Sequence, residues 1–73
     1  KAAVPLLARV LATDRSVRVR AAAAEALGWI GDEAAVPDLI AALEGAHPRV
    51  EAAAREALRR IGTDEARRAA ESA

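Results

Sequence analysis

Cysteine is missing from this 73-residue chain, so neither a disulfide nor a thiolate metal site can hold it together, and the redox compartment stays open. Phenylalanine and tyrosine are missing too, and tryptophan occurs once, as Trp29. With few strand-forming aromatics or threonines, little competes with helix. An excess of either charge is also lacking. Eleven basic and eleven acidic residues cancel, whereas a protein that grips a phosphate backbone usually carries a clear positive surplus. Nucleic acid is therefore disfavoured, although a local basic patch stays open. No apolar run approaches the roughly 20 residues needed to cross a bilayer, and no signal peptide is visible. No membrane partner and a cytoplasmic location are expected. Lys1 stands where methionine would, which predicts a processed product, an excised fragment or an engineered piece.

What the chain has is alanine: 22 of its 39 apolar residues. Alanine favours helix and lets helices approach closely, but each one buries little area. The larger apolar side chains are six valines, seven leucines, three isoleucines and Trp29, enough for one small core. The expected class is all-α.

One phrase organises the rest. Val19, Ala23, Ala26, Leu27 and Ile30 follow steps of four, three, one and three, and Val50, Ala54, Ala57, Leu58 and Ile61 repeat those steps 31 residues later. Such steps put five side chains on one face of a helix. A unit of about thirty residues holding a helical hairpin marks a solenoid, in which neither hairpin can bury its face alone. The spacing predicts helices over 1–12, 17–30, 33–44 and 48–61, with Val4, Leu7, Ala8 and Leu11 inward in the first. Ser16, Asp32, His47 and Asp64 are the predicted N-caps, and Gly31 and Gly62 the left-handed stops. The resulting division is repeat one at 1–31, repeat two at 32–62, and a C-terminal capping helix at 63–73.

These residues resemble a known family. AAVPDLIAALEGAHPRVEAAAREALRRIG is similar to a HEAT-like repeat of the phycobilisome-lyase type, also used in designed helical scaffolds, and the likeness runs from Ala2 to about Glu65. It implies a right-handed α-α superhelix whose second helices line a concave, partner-binding face. Leu27-Gly28 matches the family's leucine-glycine pair, while Leu58-Arg59 departs from it: glycine lets a following repeat pack closely, and arginine obstructs one. Arg68, Glu71 and Ser72 stand where Val36, Leu39 and Ile40 stand one unit earlier. A helix with such a polar face is expected to cap the array.

Chemistry is sparse. One histidine and scattered carboxylates make no recognisable metal site, so no metal, cofactor or catalytic residue is expected and the chain is not read as an enzyme. A second stripe, about 100° round each helix from the first, carries Arg18, Ala21, Ala22, Glu25 and Trp29, then Arg49, Ala53, Glu56 and Arg60. Alone this could be a solvated flank. Trp29 favours a binding face for a protein partner, because an exposed tryptophan is a preferred anchor; packing against a neighbouring repeat is the competing role. Arg20 is expected to bridge acidic groups between repeats. Leu6 and Val10, beside Val4, make the first helix apolar over much of its circumference, which predicts self-association as a homodimer. Two alternatives follow from the resemblance: a subunit of a bilin lyase or other enzyme complex, and a nucleic-acid-binding module. The latter would use Arg18, Arg49, Arg55, Arg59 and Arg60, a patch interrupted by Glu25, Glu51 and Glu56.

Overall fold

The computed structural model describes residues 3–45 and 47–71. Lys1, Ala2, Ala46 and Ser72, which the expected first helix, second turn and capping face include, lie outside them. Five α-helices follow one another: α1 (Ala3–Thr13), α2 (Val17–Ile30), α3 (Val36–Leu43), α4 (Pro48–Ile61) and α5 (Asp64–Glu71). Among the described residues there is no strand. The all-α class stands.

The turns follow from local hydrogen bonding. Ser16 Oγ accepts from the Val19 amide at 3.3 Å, and His47 Nδ1 accepts from the Arg49 amide at 3.2 Å, so both cap as their positions predict. Gly31 and Gly62 both adopt φ 74°, the left-handed conformation that ends a helix at little cost for glycine. Thr13 extends α1 past Ala12, its hydroxyl donating to the Arg9 carbonyl at 2.7 Å.

Two boundaries differ from expectation. The third helix does not run as α-helix from Glu33. Residues Glu33–Ala35 form a 3₁₀ turn and α3 begins at Val36. The Glu33 carbonyl would need an amide from residue 37, which is proline; it accepts from the Val36 amide instead. The last cap is Thr63 rather than Asp64. Thr63 Oγ1 accepts from the Ala66 amide at 3.1 Å, and Asp64, inside α5, pairs with Arg67 at 3.0 Å. Counting from the caps Asp32 and Thr63, the units are 31 residues apart throughout this region, so Ala66 and Ala70 take the places of Ala35 and Leu39. All four are buried.

The core is one continuous seam. Leu11, Leu27, Leu39 and Leu58 are its largest buried side chains, with Val4, Val36, Val50 and a series of alanines between them. Contact between α2 and α4 is the most extensive in the chain. A Cβ placed on Gly28 would stand 2.7 Å from Ala57 Cα and 2.8 Å from Ala57 Cβ, so α2 can come this close to α4 only where it carries no side chain of its own. Arg59, the counterpart of Gly28, is exposed.

Three further expectations are corrected. Val19 is 43% exposed although Val50, its counterpart, is 1% exposed: α4 lies between α2 and α5, whereas no helix of the described chain covers the far side of α2. Val4 is buried in the core and so is not available to a self-association face; Leu6, 64% exposed, is. Arg20 does not bridge acidic groups, because its Nε donates to the Leu11 carbonyl at 2.9 Å and ties the end of α1 to α2.

Candidate partner-binding surface

Because α2 and α4 repeat one pattern and lie side by side at the Gly28–Ala57 contact, equivalent residues of the second stripe stand next to one another. Arg18, Ala21, Ala22 and Glu25 from α2 and Arg49 and Ala53 from α4 line an open groove of about 440 Å³. Its floor is alanine and its rim is charged. Arg18 and Arg49 occupy matching positions in the first turns of the two helices, and Glu25 lies two turns further along α2. Six of the nine stripe residues predicted to bind a partner are thereby brought into one depression.

The other three sit at the far end of the stripe. Trp29 is 67% exposed and takes no part in the core. Arg60 covers it, with its guanidinium carbon 3.8 Å from the ring centroid. Glu56 lies 3.6 Å from Arg59 and 3.9 Å from Arg60, so this end of the surface carries one carboxylate shared by two guanidiniums beside an indole. The repeat spacing places Arg60 beside Trp29 in advance, but no sequence signal announces the stacking.

The basic patch on which a nucleic-acid reading would draw is dispersed. Arg55 is half-buried, donating to the Ala70 carbonyl and pairing with Glu51 at 2.8 Å, which fastens α5 to α4. Arg59 and Arg60 face Glu56. Of these five arginines, Arg18 and Arg49 form no ion pair among the described residues. Among those residues, too, no three His, Cys, Asp or Glu side chains gather where a metal could be held, and no helix is long and apolar enough to cross a membrane.

Comparison with known proteins agrees with this architecture. The family model for HEAT repeats matches residues 1–59, and the chain belongs to that family. The match is to HEAT repeats as such and does not single out the phycobilisome-lyase type. No curated protein and no solved structure matches the chain significantly. HEAT repeats generally mediate protein–protein interaction.

Proposed function

We propose that this HEAT-repeat chain is a non-catalytic scaffold that holds a protein partner along the face made by α2 and α4. The observation that carries the reading is Trp29. Its ring lies outside the core and beside the groove, and packing within the chain does not account for a large apolar side chain left 67% exposed there. A surface indole adjoining a small-residue groove supplies both an anchor and room for a partner backbone. Glu25 and Glu56 stand one repeat apart on separate helices, and Glu56 faces two arginines; neither is placed as a general acid or base with a partner group.

The test is a quantitative pull-down with the wild type beside Trp29→Ala. Partners retained by the first and depleted on the second, with melting temperature preserved, support the face; the same set recovered from both removes it. A bilin-lyase role makes a different demand. Mixing with bilin should then give a covalent adduct visible in the absorption spectrum, and the scaffold reading expects none.

A second reading concerns self-association. Leu6 on α1 and Val19 on α2 are exposed apolar side chains. A symmetric dimer through α1 would cover Leu6. Light scattering tests it: a mass above the monomer that falls on Leu6→Glu supports the dimer, and a monomer mass at every concentration ends it.

A further inference from the structure

We propose that the groove between α2 and α4 selects an acidic protein segment, its carboxylates against Arg18 and Arg49 and a single basic side chain against Glu25. The inference rests on the reading of this face as the binding surface and adds the chemistry of what it binds.

Charge balance on the face leads to this. Glu56 is shared between Arg59 and Arg60, which leaves that end of the face one net positive charge, and Arg60 is further engaged by the Trp29 ring. Arg55 is committed to Glu51 and Ala70. Arg18, Arg49 and Glu25 line the groove, and none of them forms an ion pair among the described residues. Within the groove the open charge is therefore a pair of cations at one end and an anion at the other. Guanidinium groups pair with carboxylates in bidentate geometry, and two side by side favour a segment with more than one acid.

Spacing and depth set the rest. Glu25 lies seven positions after Arg18 on α2, which at the helical rise is about 10 Å. The complementary segment carries its base about that far from its acids. The alanines between offer no side chain beyond Cβ, so a partner backbone can lie close to the floor. A nucleic-acid strand fits this pattern poorly, because its uniform phosphates would bring negative charge against Glu25.

The experiment is selection from a random-peptide display library on the immobilised full chain. Enriched peptides should carry clustered Asp or Glu with one Lys or Arg about 10 Å away. A synthetic enriched peptide should lose roughly tenfold or more in affinity for the Arg18→Glu, Arg49→Glu double variant. Changing its acids to lysine should restore binding to that variant, which a merely structural effect would not do. If charge reversal unfolds the chain, Arg18→Gln with Arg49→Gln takes its place, with loss of affinity again the expected result. Enrichment of peptides without acids, unchanged affinity in the double variant, or tighter binding of a single-stranded RNA oligonucleotide than of any peptide overturns the proposal. Should the arginine variants bind normally while Trp29→Ala still weakens binding, the acidic specificity fails and the face stands. If neither change matters, the face fails as well.

Discussion

The Arg60 guanidinium carbon lies 3.8 Å from the centroid of the Trp29 ring, so residues 31 positions apart in sequence act as one surface unit. The ring's electron-rich face attracts the cation, and at an exposed site such contacts contribute about 0.5–1 kcal/mol. A double-mutant cycle with Trp29→Ala and Arg60→Ala, read by urea denaturation followed by circular dichroism, should give a coupling in that range. Strict additivity would show the contact to be idle. Trp29 is the chain's sole tryptophan, so its emission should also shift on Arg60→Ala.

Helix contact at Gly28 sets a second expectation. Alanine there gains about 1 kcal/mol in helix propensity, but its Cβ would meet Ala57 Cα at 2.7 Å, and backbone cannot step aside as a flexible side chain can. Overpacking of this kind costs about 1–3 kcal/mol, so Gly28→Ala should lower the denaturation midpoint and Gly28→Val lower it further. A raised midpoint for Gly28→Ala would mean that α2 and α4 separate easily.

Leu27 and Val19 share one apolar stripe in the sequence but not one environment. Leu27 is fully buried, and Leu27→Ala should cost about 2–5 kcal/mol by leaving a cavity. That is much of what a domain this small possesses. Val19→Ala should cost under about 1 kcal/mol, as at a surface position. Comparable losses at both sites, measured by thermal melts of the two variants, would show Val19 to be covered in solution.

The caps of α5 can be told apart by mutation. Thr63→Ala removes the acceptor for the Ala66 amide and should cost about 0.5–2 kcal/mol. Asp64→Ala loses an exposed pairing with Arg67 and a favourable charge near the helix start, about 0.3–1 kcal/mol. The larger loss should fall on Thr63. A reversal of that order in melting temperature would return the cap to Asp64.

Helices, their left-handed glycine stops and the burial of Leu27, Leu39 and Leu58 were legible in the sequence, because all three depend on spacing within one unit. Val19 was not, since its burial depends on whether another helix lies across it, and Val50 had the same pattern with a different neighbour. Thr63 and Asp64 are adjacent and both are good caps; pairing Arg68, Glu71 and Ser72 with Val36, Leu39 and Ile40 sets α5 one residue beyond the 31-residue spacing that its cap at Thr63 obeys. The 3₁₀ turn before α3 could have been read from Pro37, whose missing amide leaves the Glu33 carbonyl unserved. Arg20 and Arg55 donate to main-chain carbonyls of other helices, and residue identity carries no trace of such acceptors. At the candidate site, periodicity placed Arg18 beside Arg49 and Trp29 beside Arg60. Which charges would be compensated depended on side-chain reach, which periodicity does not encode.

Gly28 and Arg59 hold the same position in successive hairpins, and this makes the two hairpins non-interchangeable parts. A permuted chain with residues 32–62 written ahead of 1–31 would keep the composition, the stop glycines and nearly the same apolar stripe. It would also set a guanidinium at the junction where α2 now meets Ala57 with no side chain of its own. Word order thus carries information that vocabulary does not: the array can be spelled in one direction only.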